Sequence, residues 1–386
     1  MMNELIRCDD WQAGDGLQVG DDVVIECQYA RIGDNVRIGV HTDANFRRLS
    51  GVRIKVAELV LGDGVVIDRE TLLQGGSFQL DKGVRILGGS TLRVKESLHV
   101  QPHGTVNENC EVSGVDIEIG RRLWMLPFAK IGGGSAFEVH SKLRAGHFCH
   151  LGMYSFLNTA RPVVLGDEVG LGTRTALYTH GAYPSVLNGF PVAFGEIRIG
   201  DRSWLPGATV NPGVTIGPDC VIGVGAVVTR DIPAGSLAAG VPARVVRENA
   251  YPQKLSPDQK RAVMTDWLRA FAEICEDRHR IDFSASGGWI IIRLDDKAII
   301  AYIFVMNMRW IDSFQNDNDE RIICLAHKYK QWPEPDALTP GLTLIDLDAR
   351  RIAGKADALS ERLLNQLRRY GVRFRYEPEG GVYTAW

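Results

Sequence analysis

Two places in this chain carry side chains that could take part in chemistry. His147 and His150 flank Cys149, and imidazole and thiolate groups are common ligands of zinc. His180 stands directly before 181–196, a segment rich in proline, glycine and aromatic residues. Histidine changes its protonation near neutral pH, so a positioned imidazole can act as a general base. Which of these side chains is functional depends on the elements that position them.

The segment 1–250 contains a hexapeptide repeat. A period of six fits neither an α-helix, which repeats every ~3.6 residues, nor a strand, which alternates every second residue. It fits a chain that turns a corner after each hexapeptide, so that three short strands form one triangular coil and coils stack about 4.8 Å apart. The repeat is carried by residues such as Ile119, Met125, Ile131, Phe137, Leu143, Cys149, Ser155, Val210, Ile216, Ile222 and Val228. The sequence therefore predicts a parallel β-helix, in which each coil buries its apolar side chains against its neighbours.

Several of the repeating aliphatic residues are followed by Gly and Asp. Examples are Ile32-Gly33-Asp34 and Ile199-Gly200-Asp201. We expect these glycines to occupy a corner conformation that a side chain would strain. Of the 42 glycines in the chain, 35 lie in residues 1–250, which places a domain boundary near Ala250. The expected organisation is a β-helix over 1–250 and a second domain over 251–386.

Composition excludes some classes of function. The 44 Lys and Arg against 47 Asp and Glu give a net charge of −3, so no basic excess indicates nucleic-acid binding. The longest apolar run, residues 298–306, is far shorter than the roughly 20 residues that a membrane-spanning helix needs. The seven cysteines are scattered and form no Cys-x-x-Cys pair. We therefore expect reduced thiols and a cytoplasmic protein without a membrane span.

Four motifs between Leu165 and Arg247 resemble one family of enzymes. They are IGDRSW (199–204), NPGVTIG (211–217), AVVTRDIP (226–233) and GVPARVVR (240–247). In this order they are similar to the hexapeptide-repeat acyltransferases, in the branch that contains galactoside, maltose, xenobiotic and polysaccharide O-acetyltransferases. The resemblance implies a left-handed parallel β-helix that forms a homotrimer, with acetyl-CoA bound in the groove between neighbouring prisms.

The resemblance also implies an activity and a catalytic residue. The function it implies is an acetyl-CoA-dependent O-acetyltransferase that modifies a hydroxyl of a sugar or polysaccharide precursor without a metal ion. His180 occupies the position of the family's general base, one coil before the Trp-bearing coil and at the mouth of the protruding loop. Glu196, at the loop's return, and Asn158 are candidates for orienting the ring or binding the acceptor. The family's usual Asn and Asp do not align at the expected spacing, which leaves the acceptor contacts open.

The positions that would bind coenzyme A transfer from the family motifs without gaps. Their expected roles are packing beside the cosubstrate, backbone hydrogen bonds to pantetheine, and charge-assisted contacts to phosphates. The residues concerned are Trp204, Gly207, Val224, Thr229, Arg230, Arg244 and Arg247.

Three other interpretations stay open at this stage. The first is an N-acetyltransferase that modifies an amino-sugar nucleotide. The second is a β-helix scaffold without catalysis, because the segment 1–140 continues the repeat without a chemical motif. The third is a zinc site, in which His147 and His150 would need His180 as a third ligand; we expect no metal and place both histidines on the coil surface.

Residues 251–386 predict a small α+β domain of unknown role, which could bind the acceptor, a partner enzyme or a neighbouring subunit. A helix is expected after Ser256-Pro257, with Val263, Trp267, Phe271 and Ile274 on its apolar stripe. Further elements are expected at 288–294, 298–305 and 342–347 as strands, 356–370 as a helix and 372–376 as a last strand.

Overall fold

The protein is described by a computed structural model that covers residues 5–40, 51–276, 281–286, 289–294, 298–306, 321–330, 341–354 and 357–374. The chain divides into two compact units, residues 1–253 and 254–386. The first unit is built of short parallel strands, and the second combines a mixed sheet with two helices.

The described residues of the first unit form 29 strands and one turn of 3₁₀-helix, Val186–Asn188. In chain order the strands are β1 (Ile6–Ala13), β2 (Gln18–Val19), β3 (Val24–Ile32), β4 (Arg37–Ile38), β5 (Arg53–Leu61), β6 (Val66–Ile67), β7 (Leu72–Leu80), β8 (Arg85–Ile86), β9 (Thr91–Val100), β10 (Thr105–Val106), β11 (Glu111–Ile119), β12 (Trp124–Met125), β13 (Lys130–Gly132), β14 (Lys142–Ala145), β15 (His150–Leu151), β16 (Phe156–Asn158), β17 (Val163–Leu165), β18 (Gly170–Leu171), β19 (Ala176–Leu177), β20 (His180–Gly181), β21 (Ala193–Phe194), β22 (Ile197–Ile199), β23 (Trp204–Leu205), β24 (Thr209–Val210), β25 (Thr215–Ile216), β26 (Val221–Ile222), β27 (Val227–Val228), β28 (Leu237–Gly240) and β29 (Ala243–Arg247).

These strands stack as the rungs of a β-solenoid, which confirms the predicted β-helix. One sheet of 12 strands forms one side, from β2 to β28 and the final antiparallel β29. A sheet of 15 strands forms the other two sides, because each long strand from β1 to β11 continues through one corner. After β11 the two sides are separate: its first half pairs with β13 and its second half with β14.

The length of a coil varies along the solenoid. In the first coils Ile6 pairs with Ile25, and in the last coils Thr209 pairs with Val227. The chain distance between paired residues is therefore one residue longer in the first coils than in the last. The predicted period of six therefore holds locally and drifts between coils. It fails at Phe137, which was expected to point inward but is 49 % exposed, because residues 133–141 form an insertion of turns between β13 and β14.

The Gly-Asp repeat has a different physical cause from the expected one. Gly33 lies outside the left-handed region, and a Cβ on it would lie 2.5 Å from Asp63 Oδ1 of the next coil. That carboxylate accepts a hydrogen bond from the backbone N–H of Asp34 at 2.9 Å. The glycine is thus required by close stacking of coils, and the aspartate satisfies a backbone donor at the corner. The left-handed corner positions are instead held by residues such as Asn35 and Arg202.

Within the part of the second unit that the structure describes, the chain forms a six-stranded mixed sheet and two helices. Its elements are α1 (Pro257–Glu276), β30 (Ile281–Ser286), β31 (Trp289–Leu294), β32 (Ala298–Met306), β33 (Arg321–Tyr329), β34 (Leu342–Asp346), β35 (Arg351–Ala353) and α2 (Ala358–Arg369). The strands follow chain order across the sheet; β32, β33 and β34 are parallel, and the other neighbours are antiparallel. One face of the sheet packs with apolar residues of both helices in a single core.

Two details of the predicted second domain were wrong. Val263 and Ile274 are exposed, and the buried stripe of α1 consists of Met264, Trp267, Leu268, Phe271, Ala272 and Cys275. Residues 372–374 form no strand, and 375–376 lie outside the described residues. No helix within the described ranges is long and apolar enough to cross a membrane.

Candidate active site

His180 is held at the point where a loop leaves the solenoid. It lies just after β19, and β20 pairs antiparallel with β21 so that His180 stands opposite Phe194. The backbone N–H of Gly195 donates to the carbonyl oxygen of Thr179 at 2.9 Å. This short ladder closes the base of the loop, whose residues 181–194 are exposed. The backbone of His180 is therefore fixed from both sides of the excursion.

The side chain of Asn158 links His180 to the preceding coil. Its Oδ1 lies 2.7 Å from His180 Nδ1 and accepts a hydrogen bond from Thr179 Oγ1 at 2.7 Å. Its Nδ2 faces the carbonyl oxygens of Gly132 and Gly134, each at 3.4 Å. Asn158 is buried, with 1 % of its surface exposed, so these partners replace the water that its amide would otherwise bind.

The contacts of Asn158 determine which nitrogen of His180 carries the proton in the neutral ring. Because Nδ2 of Asn158 faces two carbonyl acceptors, its Oδ1 is the atom directed at the imidazole. Oδ1 can only accept, so Nδ1 of His180 must donate to it. The tautomer assigned from this network leaves Nε2 of neutral His180 with a lone pair, which is the form a general base needs.

An aromatic and a cationic side chain support the imidazole on one face. The ring of Phe194 stacks on His180, with a centroid distance of 5.6 Å and an interplanar angle of 20°. The guanidinium carbon of Arg161 lies 4.6 Å from the centroid of Phe194. The backbone N–H of Arg161 in turn donates to Thr179 Oγ1 at 3.1 Å. Contacts from β21 and from the end of the preceding coil thus restrict rotation of the catalytic candidate.

Space remains beside the Nε2 edge of the ring. A Cβ built on Gly134 would lie 3.7 Å from His180 Nε2 and 3.6 Å from its Cε1. Gly133 approaches Phe156, whose Cζ would be 2.9 Å from a Cβ at that position. The glycines of the 133–141 insertion therefore bring backbone close to the imidazole without a side chain that would cover Nε2.

The structure places Glu196 away from this arrangement. Its carboxylate lies 2.5 Å from Arg198 Nη2, and Ile197 between them points into the core. Of the two residues predicted to orient or bind near His180, the structure brings Asn158 into contact with the ring and pairs Glu196 with Arg198.

The residues predicted to bind coenzyme A lie on the last coils. Trp204 is 41 % exposed, and its ring lies over Gly170, where a Cβ would collide with Trp204 Cε3. Gly207 has a φ of 78° and donates its N–H to Thr175 Oγ1 at 3.0 Å. Val224 is 81 % exposed at the following corner.

The predicted cationic positions are also accessible. Thr229 and Arg230 are exposed directly after β27. Arg244 and Arg247 are exposed on β29, the antiparallel strand that ends the 12-stranded sheet. Arg244 Nη1 donates to the carbonyl oxygen of Ala243 at 2.9 Å, and the Arg247 guanidinium lies 6.0 Å from the ring centroid of Tyr251. These positions leave their charge available to an anionic ligand.

His147 and His150 both make contacts within the solenoid. His147 Nδ1 accepts a hydrogen bond from the backbone N–H of Arg121 at 3.1 Å, the role that aspartate has at the other corners. The His150 ring lies between Trp124 and Trp204, at centroid distances of 5.2 and 6.3 Å. Within the described part of the chain, no three His, Cys, Asp or Glu side chains form a cluster that could hold a metal ion.

The sequence analysis did not predict four residues that contribute to this site. Gly134, Arg161, Thr179 and Phe194 contact or border His180 or its immediate partners. Gly134 belongs to a run of three glycines, and this run was the available signal. Phe194 lies on β21 within the excursion, whose aromatic residues are visible in the sequence. For Arg161 and Thr179 the period of six carries no information on side-chain contacts.

A β-solenoid with a hexapeptide period is the architecture typical of hexapeptide-repeat proteins. Residues 196–230 match the bacterial transferase hexapeptide (six repeats) family. The galactoside O-acetyltransferase of Escherichia coli strain K12 is 35 % identical over 131 residues, which cover 31 % of this chain and 64 % of that enzyme. The chain thus spans just under two thirds of that curated relative.

Two solved structures also show similarity. A hexapeptide-repeat-containing acetyltransferase of Vibrio cholerae O1 biovar eltor, complexed with acetyl coenzyme A, is 24 % identical, covers 35 % of this chain and 70 % of its own, and has a TM-score of 0.27. A maltose O-acetyltransferase of Clostridium difficile 630 is 26 % identical, covers 35 % and 68 %, and has a TM-score of 0.23. The predicted resemblance to hexapeptide-repeat acetyltransferases is confirmed by the family match and by the curated relative.

Proposed function

We propose that this protein is an acetyl-CoA-dependent O-acetyltransferase that modifies a hydroxyl of a sugar or polysaccharide precursor. The observation that carries the proposal is the contact between Asn158 Oδ1 and His180 Nδ1 at 2.7 Å, which leaves Nε2 as the basic atom. The 35 % identity to a galactoside O-acetyltransferase supports both the donor and the class of acceptor.

The proposed reaction is a direct transfer in a ternary complex. Nε2 of His180 removes the proton from the acceptor hydroxyl, and the oxygen attacks the carbonyl carbon of the thioester. The tetrahedral intermediate collapses to the acetyl ester, and the imidazolium returns the proton to the departing thiolate. A hydroxyl is a weak nucleophile at neutral pH, so general-base assistance of this kind contributes a factor of roughly 10²–10⁴ to the rate.

The scaffold residues have distinct roles in this proposal. Asn158 accepts a hydrogen bond from Nδ1–H of His180 and stabilises the imidazolium that forms during the reaction. Phe194 fixes the plane of the ring, and Gly134 keeps the Nε2 edge open to the acceptor. Trp204, Gly207, Val224, Thr229 and Arg230, with Arg244 and Arg247 for the phosphates, are proposed to bind acetyl-CoA.

We also propose that the active unit is a homotrimer in which a neighbouring subunit completes the cosubstrate groove. The exposed face of Trp204 and the exposed Val224 support this proposal, since both are apolar groups that a groove would cover. Light scattering coupled to size-exclusion chromatography tests it: a mass of three chains is expected, and a monomer that is fully active would contradict it.

The His180→Ala variant tests the catalytic proposal. We expect it to fold, to bind coenzyme A in calorimetry with wild-type affinity, and to release free thiol from acetyl-CoA at a rate about 10²–10⁴-fold lower with a galactoside or oligosaccharide acceptor. His99→Ala is the matched control. His99 lies on β9, forms a hydrogen bond with Asp81 and has no proposed role. Unchanged turnover in His180→Ala would remove His180 from the mechanism. A wild-type protein that binds coenzyme A but acetylates only amino sugars at nitrogen would contradict the choice of acceptor group.

A further inference from the structure

The first two rungs of the solenoid bring a pair of thiols together. Strands β1 and β3 pair in parallel, and Cys8 stands in register with Cys27. The two sulfur atoms are 2.8 Å apart. In-register residues of adjacent strands have Cα atoms about 4.7–4.9 Å apart, which lies inside the range of about 4.4–6.8 Å that a disulfide spans.

The environment of this pair differs from that of the other cysteines. Cys8 and Cys27 are partly exposed, whereas Cys110, Cys149, Cys220, Cys275 and Cys324 are buried. The buried solenoid thiols donate to backbone carbonyls: Cys110 to Leu126, Cys149 to Gly166 and Cys220 to Pro233. Cys8 also donates to a backbone carbonyl, that of Asp10 at 3.2 Å, so exposure is the property that distinguishes the pair. A soluble oxidant therefore has access to Cys8 and Cys27 before it reaches the other five.

The position of β1 allows the small movement that bond formation needs. β1 is the terminal strand of its sheet among the described residues and pairs only with β3. Shortening the distance between the sulfur atoms to about 2.05 Å can therefore be accommodated by β1, without disturbing a strand on its other side. Neither cysteine lies in the proposed active site, so the modification is separate from the acetyl transfer.

We propose that Cys8 and Cys27 form a redox-sensitive modification site, in which a low-molecular-weight disulfide such as glutathione disulfide oxidises the pair to an intramolecular disulfide. The thiolate of one cysteine attacks the small disulfide, which forms a mixed disulfide and releases one small thiol. The second cysteine then attacks the protein sulfur of that mixed disulfide, forms the Cys8–Cys27 bond and releases the second small thiol. The two cysteines lose two electrons and two protons, and glutathione disulfide is reduced to two thiols.

The order of attack follows from the surroundings of the two thiols. Burial, together with the neighbouring Cys8 and Asp9, raises the pKa of Cys27 to about 12. Cys8 lies on the edge strand β1, whereas Cys27 lies on β3 between β1 and β5, so we expect Cys8 to make the first attack. Oxidation ties β1 covalently to β3 and restrains the end of the solenoid from opening.

Thiol counting on the full chain tests the proposal directly. The folded protein is equilibrated in glutathione buffers of increasing oxidised fraction, denatured, alkylated with N-ethylmaleimide and examined by intact and peptide mass spectrometry. We expect the seven cysteines of the reduced chain to fall to five that can be alkylated, because the pair takes up two, and one peptide pair to link Cys8 with Cys27. Amide exchange is expected to slow in β1 on oxidation and to stay unchanged in β5.

Variants separate this bond from other modifications. Cys27→Ser is expected to trap a mixed disulfide with glutathione at Cys8, and Cys110→Ser is the control that keeps the internal bond. Seven alkylated cysteines at the most oxidising buffer, or a link between other residues, would overturn the proposal. Acetyl transfer measured on the same samples is a separate result, because loss of turnover leaves the thiol count unaffected.

Discussion

Asn158 and His180 are 22 residues apart in the chain, yet Oδ1 of the first lies 2.7 Å from Nδ1 of the second. Stacking of β16 on β19 produces this proximity, since Leu157 pairs with Leu177 on the neighbouring coil. The contact assigns the proton of the neutral imidazole to Nδ1 and leaves the lone pair on Nε2, the atom that we propose as the general base. A rigid repeat thus supplies, at one corner, the orienting group that the family's usual spacing did not indicate.

Asn158→Ala tests whether this contact positions the catalytic ring. We expect kcat to fall by about 10–10²-fold with little change in the KM for acetyl-CoA, because the imidazole loses its Nδ1 acceptor while the cosubstrate contacts remain. Thermal unfolding is expected to show a loss of about 1–3 kcal/mol, because the carbonyls and hydroxyl around the amide lose a buried partner.

Asn158→Asp distinguishes positioning from general destabilisation. A carboxylate keeps an acceptor for Nδ1, so Asn158→Asp is expected to retain a higher kcat than Asn158→Ala. Equal kcat values in the two variants would contradict a positioning role.

Gly134→Ala tests access to Nε2. The added methyl group would make ordinary van der Waals contact with His180, at 3.6 Å from Cε1 and 3.7 Å from Nε2, so we expect no loss of stability. If the acceptor hydroxyl approaches Nε2 as proposed, the methyl group would crowd it, and kcat/KM for the acceptor is expected to fall about tenfold or more. Gly181→Ala is the matched control, since a Cβ there meets nothing within 4 Å. Wild-type kinetics in both variants would show that the acceptor approaches from elsewhere.

Gly170→Ala tests the predicted role of Trp204. A Cβ at residue 170 would collide with Trp204 Cε3 and lie 2.8 Å from its Cζ3, so the indole must move from its place. If the indole packs beside acetyl-CoA, as proposed, the KM for acetyl-CoA rises about 5–10-fold and kcat at saturation changes little. Isothermal titration with coenzyme A provides a second readout. An unchanged affinity for coenzyme A would exclude Trp204 from the cosubstrate site.

Asp357 gives the second unit a defined pH dependence. It caps α2 in a capping box with Ser360 and pairs with Arg321. Burial alone would raise the pKa of Asp357, but hydrogen bonds from Arg321 and Ser360 outweigh burial and lower the pKa to about 2. Because the folded pKa is below the unfolded value of about 3.9, the stabilisation is complete above pH ~4 and is lost as the pH falls through about 2.

Asp357→Asn is expected to reveal this dependence. At neutral pH the variant should lose less than ~1 kcal/mol, through the partly exposed ion pair with Arg321, because asparagine is about as good an N-cap as aspartate. The difference from wild type should shrink between pH 4 and 2, measured by amide exchange in α2. Asp258→Asn, an exposed position in the first turn of α1, serves as the control. A constant difference over this pH range would contradict the assignment.

Local repetition made the solenoid predictable. Val210, Ile216, Ile222 and Val228 are buried as their period requires, because every coil meets the same environment above and below it. The predicted apolar stripe of α1 was partly wrong. Val263 and Met264 are both apolar, and only packing of the helix on the sheet decides that Met264 is the buried one. Phe137 was mispredicted for a related reason. The insertion at residues 133–141 changes which residues point inward, although residue types at a spacing of six continue through it.

The amino-acid sequence by itself determined the β-solenoid, the two-part organisation and the position of His180 before an excursion. These features depend on periodicity and composition, which are properties of neighbouring residues along the chain. Only the tertiary structure decided that Asn158 contacts the imidazole, that Glu196 pairs with Arg198, and that Cys8 meets Cys27. The contacts of Asn158 and of Cys8 depend on how successive coils stack in register, and the pairing of Glu196 with Arg198 depends on both side chains lying on the same face beside the inward Ile197.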